Sequence, residues 1–294
     1  MDNKFKGIIP PLITCFDEKG KFDEMAQREV VRFLVPKVNG FYPIGTYGSG
    51  PLLDVEERKD IAKVIVDEVS GKVPVIIHIG AVNTKQAVDL AKHAESIGAD
   101  AIGAIPPYYY SYTEYDLLEY YRAILSATEL PFFAYNNPGL SNNPLSPKVI
   151  NTLAKEGLYG IKDSSFDLIT FSNFVNHVEK EDFHFIIGTE AFAAAAVNAG
   201  AEAVISGLAN AWPEIMGELW NALEANDMRK AGKLQLQVLK ARAVMKSAPT
   251  LVVCYEILRM RGVNPGRPRL PFHFVSDDIR QNIRKSLIEL GLSI

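Results

Sequence analysis

The sequence predicts an α/β fold, a (β/α)8 (TIM) barrel followed by an appendix of about three helices. Three observations predict it. Short apolar runs alternate with amphipathic segments of helical period eight times in succession. The runs are too apolar to have a wet face, as expected of parallel strands covered by helices. Eight units within the first 225 residues match a closed barrel. An open doubly wound sheet, the competing arrangement, rarely needs so many evenly spaced units.

The strand-like runs are residues 7–14, 40–44, 73–79, 101–105, 131–135, 158–162, 183–188 and 203–206. The first helical segment, 24–34, carries Val30, Val31 and Leu34 at core spacing. In the second, 54–69, Asp54 and Glu57 stand as a capping box ahead of an Ile61, Val64 and Ile65 stripe. Its charged stretch, Glu56-Glu57-Arg58-Lys59-Asp60, is most simply a solvated helix face. Segments 84–97, 113–127, 146–155, 167–178, 190–199 and 213–225 complete the set, with Pro147 at a first helical position. Beyond residue 225 the alternation stops. Residues 228–246, 250–261 and 277–290 form three further helices, and Asn264-Pro265-Gly266, Pro268 and Pro271 mark a loop. The chain thus divides into a catalytic barrel, 1–225, and a helical extension, 226–294.

Composition narrows the function. The 294 residues are 48% hydrophobic and 22% charged with net charge −4, so neither disorder nor a nucleic-acid partner is indicated. Cys15 and Cys254 are too isolated for a disulfide framework or zinc knuckle, and a reducing cytosol is the default. The N-terminus lacks an apolar signal core, and Asn198, Glu202 and Asn210 interrupt the alanine-rich stretch from 191 to 212. A cytoplasmic protein without membrane partner is expected. His78, His93, His177, His184 and His273 show no metal-ligating spacing, so no metal is expected. His78 fits a satisfied core histidine and Cys15, with no adjacent histidine, a structural thiol.

Chemistry concentrates at strand ends. In Leu158-Tyr159-Gly160-Ile161-Lys162-Asp163-Ser164-Ser165, a short apolar strand runs out at a lysine and gives way to helix-start residues. Lys162 either ends the strand in water or is desolvated, its pKa lowered so that the amine attacks a carbonyl as a Schiff-base nucleophile. A barrel favours the second, because active sites lie at the C-terminal ends of its strands. The second strand ends in Gly45-Thr46-Tyr47-Gly48-Ser49-Gly50, either a plain tight turn or a nest of N–H groups and the Thr46 hydroxyl for a carboxylate. It is neither a nucleotide nor a dinucleotide loop, so no cofactor is implied. The fifth ends in Tyr135-Asn136-Asn137-Pro138-Gly139, where a phenol is placed to relay protons. The fourth ends in Pro106-Pro107-Tyr108-Tyr109-Tyr110, a natural interface patch.

Taken together, Gly45-Thr46-x-Gly48, Pro107-Tyr108-Tyr109, Tyr135-Asn136-x-Pro138 and Gly160-Ile161-Lys162-Asp163 resemble the pyruvate-dependent class I aldolase and lyase family of dihydrodipicolinate synthase and N-acetylneuraminate lyase. The resemblance runs from Ile9-Pro10-Pro11-Leu12-Ile13-Thr14 to the C-terminal helices. It implies that Lys162 forms the Schiff base with pyruvate or a 2-keto acid, without cofactor, and that Tyr135 shuttles the proton. It further implies that Thr46 and the N–H groups of Thr46 and Tyr47 hold the carboxylate, and that Ile205 and Gly188 line the pocket. Tyr109 corresponds to the tyrosine that completes a neighbouring subunit's relay in a homotetramer, a dimer of dimers.

Departures bear on the substrate. Family members usually have threonine where Tyr47 stands. Leu140 replaces the arginine that grips the aldehyde's carboxylate in dihydrodipicolinate synthases, which argues against condensation of pyruvate with aspartate semialdehyde. Sialic acid lyases share Leu140-Ser141, but of their polyol-binding Asp-Glu pair only Glu190 has a counterpart, beside Ala191, and their serine after the last strand falls on Gly207. The resemblance therefore implies a lyase cleaving or dehydrating a 2-keto-3-deoxy sugar acid or sialic-acid-like substrate. A silent 2-keto acid binding protein is the alternative from a different class.

Overall fold

The apolar runs become strands, but shorter ones than their hydrophobicity suggests. A computed structural model describes residues 4–292 and 294. Among them, seven strands form: β1 Gly7–Ile9, β2 Ile76–His78, β3 Ala101–Ala104, β4 Phe132–Asn136, β5 Gly160–Asp163, β6 His184–Ile187 and β7 Ala203–Ile205. All pair in parallel, in the order β1-β7-β6-β5-β4-β3-β2. The helices interleaved with them are α1 Glu24–Leu34, α2 Val55–Val69, α3 Thr84–Ser96, α4 Glu114–Leu125, α5 Pro138–Ser141 and α6 Pro147–Lys155. They continue as α7 Leu168–His177, α8 Ala193–Asn198 and α9 Pro213–Glu224, followed by α10 Met228–Met245, α11 Thr250–Met260 and α12 Asp277–Glu289.

The run at 40–44 makes no regular strand; it touches β2's approach through one parallel bridge, Phe41 with Val75. Pro10, Pro11, Pro43 and Pro74 withhold the donors a continuous ladder needs on either side of it. The segment still closes the ring. Asn39 and Tyr42 donate N–H bonds to the carbonyls of Ile8 (2.8 Å) and Pro10 (3.0 Å). Opposite, Phe41 donates to Pro74 and Ile76 donates to Phe41, both at 2.9 Å.

Alternation along the strands divides the core. Ile9, Tyr42, Phe133, Tyr135, Ile186 and Ile205 form an inner cluster, whereas Ile8, Phe132, Ala134, Ile187 and Val204 join the outer cluster shared with the helices. Helix α2 starts at the expected capping box: Asp54 accepts from the Glu57 N–H at 2.8 Å and Glu57 returns to the Asp54 N–H at 3.1 Å. Arg58 corrects the solvated-face expectation. It is buried, and its two amino groups reach the carbonyls of Gly80 (3.0 Å) and His78 (2.9 Å). Burial lowers its pKa to about 10.

The three helices of the extension form as expected, α10 packing on α8 and α9, and α11 on the turn Gly207–Asn210. Among the described residues, no helix is long and apolar enough to cross a membrane. Two local differences matter for the cavity. The chain turns once as α5 straight after Asn137, and α8 begins three residues later than the spacing predicts, leaving Glu190 in the turn before it.

Candidate active site

The β4–β5 register sets Tyr135 beside Lys162. Lys162 is only 4% exposed, with Nζ 3.7 Å from the centre of the Tyr135 ring and 4.1 Å from that of Tyr42. Burial pushes the amine's pKa below the ordinary lysine range, against the opposing pull of the Tyr135 phenol. Burial alone would raise the pKa of Tyr135, but the Lys162 charge and hydrogen bonds with Thr46, Asn137 and Ser164 outweigh it and lower the value. The Asn137 amide donates to the phenol at 2.9 Å. An amine easier to deprotonate and a phenol easier to ionise than in water, in contact, suit proton exchange between them. Beneath them His78 lies buried and neutral, burial and the charges of Arg58 and Lys162 holding its pKa down. Its ring meets the carbonyl of Ile44 and the N–H of Ile105, as befits a satisfied core histidine. Cys15 is buried too, and burial raises its thiol pKa.

The loop from Gly45 to Gly50 is shaped by strain. Ile44 sits in the left-handed region at φ 62°, an outlier for a β-branched residue. A Cβ on Gly48 or Gly50 would collide with the Ile44 backbone, so these glycines permit the tight return. Gly50 donates to the Gly45 carbonyl at 3.0 Å and Ser49 to Thr46 at 3.3 Å. The N–H groups of Thr46 and Tyr47 have no hydrogen-bond partner among the described residues, and Thr46 reaches Tyr135 through its hydroxyl. The loop therefore has the geometry of an anion nest beside the lysine.

Thr46, Tyr47, Tyr135, Leu140, Lys162, Gly188, Glu190 and Ile205, each singled out in the sequence, line one cavity of about 740 Å³. Tyr109 does not. It stands 80% exposed at φ 86°, edge-on to Tyr110 at 5.1 Å, outside its own chain's cavity. The Tyr47 phenol packs against Gly207 and shares a hydrogen bond with Thr250. Leu140 lies at the mouth, 56% exposed. Glu190 is buried, one carboxylate oxygen 2.9 Å from Arg242 and the other accepting the Ser206 hydroxyl at 2.9 Å.

Several lining residues escaped the sequence reading. Ser164 contacts Tyr135 and donates to the Gly188 carbonyl at 3.3 Å, in space that a side chain at 188 would occupy. Its signal was the helix-start pattern after Lys162, which marks a turn without showing which way the hydroxyls point. Asp163 stays behind the lining, tied to Asn136 and Ser165 at 2.7 Å each, and locks the ends of β4 and β5 together. Arg242, Lys246 and Thr250 come from the extension, where ordinary amphipathic spacing hides them.

Residues 4–290 match the dihydrodipicolinate synthetase family. The chain belongs to that family. Its members are lyases and aldolases, and this dihydrodipicolinate synthetase family protein is an enzyme of that class. A probable 2-dehydro-3-deoxy-D-pentonate aldolase of Escherichia coli is 34% identical over 246 residues, 82% of each chain. The crystal structure of an E. coli K12 prophage protein of the dihydrodipicolinic acid synthase family, in complex with pyruvate, is 27% identical with a TM-score of 0.94, covering 98% of this chain and 99% of that one. A catalytic lysine mutant of Ruminococcus gnavus sialic acid aldolase is 29% identical with a TM-score of 0.93, covering 99% of both. The fold is thus the TIM barrel of this family.

Proposed function

We propose that this enzyme cleaves or dehydrates a 2-keto-3-deoxy acid through a Schiff base on Lys162. The observation that carries the reading is the buried Lys162 amine, its pKa lowered, in contact with Tyr135. The amine adds to the keto carbon and water leaves, giving an iminium that acts as an electron sink. In cleavage, Tyr135 takes the proton of the C4 hydroxyl, the C3–C4 bond breaks, and its electrons pass into an enamine as an aldehyde departs. Protonation at C3 and addition of water then release pyruvate and restore the amine. In dehydration, a proton leaves C3 and the C4 oxygen departs as water. The N–H groups of Thr46 and Tyr47 hold the C1 carboxylate, and Ile205 and Gly188 shape the pocket around it. The pyruvate complex of the E. coli prophage protein and the sugar acid of the E. coli aldolase support this substrate class.

Condensation of pyruvate with aspartate semialdehyde is the weaker reading, since Leu140 stands at the position where dihydrodipicolinate synthases carry the arginine that grips the aldehyde's carboxylate. The exposed Tyr109 fits a homotetramer in which it completes a neighbour's site. Borohydride reduction in the presence of pyruvate, followed by peptide mass spectrometry, tests the mechanism. An adduct on Lys162 is expected; its absence from Lys162 would overturn the Schiff-base reading.

A further inference from the structure

The reaction just described leaves the outer wall of the cavity without a task. Arg242, on α10, lines it with its side chain 17% exposed. Its Nε is 2.9 Å from Glu190, but its two terminal amino groups make no hydrogen bond among the described residues. Glu190 is spent as a support, since its second oxygen accepts from Ser206 and its backbone carbonyl accepts from the Gln235 amide at 2.9 Å. One turn further along, Lys246 borders the same cavity and has no ion-pair partner among the described residues.

A second, independent feature marks this wall. Phe166 holds a left-handed backbone at φ 60° while 56% exposed, and its ring lies 5.6 Å from the Arg242 guanidinium carbon. An exposed aromatic residue is rarely kept in that conformation without a structural or functional reason. Here its ring lies beside a guanidinium that borders the cavity.

Apart from Lys162, the charged residues lining the cavity among the described residues are Arg242, Lys246 and Glu190, so the outer wall carries one positive charge in excess. A hydroxymethyl end of a sugar acid would be served by neutral groups on this wall such as the Ser165, Thr189 and Thr250 hydroxyls, and would leave the excess charge unmatched. A single carboxylate instead matches the excess charge and the free guanidinium edge, which presents parallel donors to two oxygens. The cavity, about 740 Å³, lies in the range that holds ligands larger than a three-carbon keto acid.

We infer that Arg242 and Lys246 form a subsite for a terminal carboxylate, so that the substrate is a 2-keto-3-deoxy dicarboxylic acid held at both ends. The inference rests on the Schiff-base reading above. In it Glu190 is a positioning residue that aims Arg242.

The test compares two five-carbon acids that differ only at C5, 4-hydroxy-2-oxoglutarate with its terminal carboxylate and 2-keto-3-deoxypentonate with its hydroxymethyl. Pyruvate trapping on Lys162 is run alongside. The dicarboxylate is expected to be favoured in kcat/KM by about ten- to a hundred-fold, the size of a charge-assisted interaction. Arg242→Gln and, independently, Lys246→Met at an exposed position are expected to raise its KM with little change in kcat and to leave the KM of the hydroxymethyl acid alone. Arg242→Lys should recover part of the loss. Trapped pyruvate with equal use of the two acids, or with equal losses on both in the variants, overturns the subsite and leaves the Schiff base standing. A preference for 2-keto-3-deoxy-6-phosphogluconate over the dicarboxylate also overturns it. Failure to trap pyruvate overturns the mechanism and the subsite together.

Discussion

The phenol of Tyr47 fills the space that a side chain at Gly207 would need. Tyr47, a departure from the family pattern, and Gly207, where sialic acid lyases carry serine, are therefore one packing arrangement although far apart in sequence. Burial raises the pKa of this phenol and outweighs the opposing hydrogen bond with Thr250, so it stays neutral.

It follows that Gly207→Ser alone overpacks the site and destabilises the protein by about 1–3 kcal/mol. Adding Tyr47→Thr should return much of that loss, giving a coupling of at least about 0.5 kcal/mol in a double-mutant cycle measured by denaturant unfolding. Strict additivity of the two changes would show that the phenol and the glycine do not compete for one space.

Lys162 imposes a stability penalty that depends on pH. Its pKa in the fold lies below the ordinary value of 10.5. Between the two values the unfolded chain binds more protons than the folded one, so stability rises with pH across that window and the penalty is full below it. Lys162→Met removes the amine while keeping a similar apolar length. The variant should melt higher at pH 7, by about 2 °C or more, the shift that about 1 kcal/mol gives in a chain of this size. The gap should narrow as the pH approaches 10.5. A gap that is absent, or constant with pH, would mean the amine is solvated.

Tyr135 and Tyr109 allow the chemistry proposed for one chain to be tested apart from the contribution proposed for a neighbour. Tyr135→Phe should lower turnover by about 10²–10⁴-fold, as loss of a general acid–base group does. Tyr109 is exposed in the single chain, so Tyr109→Phe should change folding by less than about 0.5 kcal/mol while lowering turnover clearly. Unchanged steady-state kinetics for the Tyr109 variant would remove the cross-subunit relay.

The fold and the pairing of Lys162 with Tyr135 were legible because both are written locally. Apolar runs that stop at Lys162 and Tyr135 place those residues at strand ends, and parallel register then brings them together. What escaped depends on distant partners. Arg58 sits in a run of charges and looked solvated, yet the carbonyls it satisfies belong to His78 and Gly80 on another strand end. Residues 40–44 carry Pro43 within the run, a local signal against a regular ladder, and also meet Pro10, Pro11 and Pro74 on the neighbouring segments, which no local propensity registers. Arg242 and Lys246 lie on a helix whose period reveals a buried face without revealing that it borders the barrel mouth.

The origin of the cavity walls has an evolutionary consequence. Its floor comes from β4 and β5, whereas Arg242, Lys246 and Thr250 lie some eighty residues further along the chain. Substitutions at Arg242, Lys246 and Thr250 therefore leave untouched the β4–β5 register that sets Tyr135 beside Lys162. The proposed chemistry and the proposed choice of substrate thus lie on stretches of chain that can change separately.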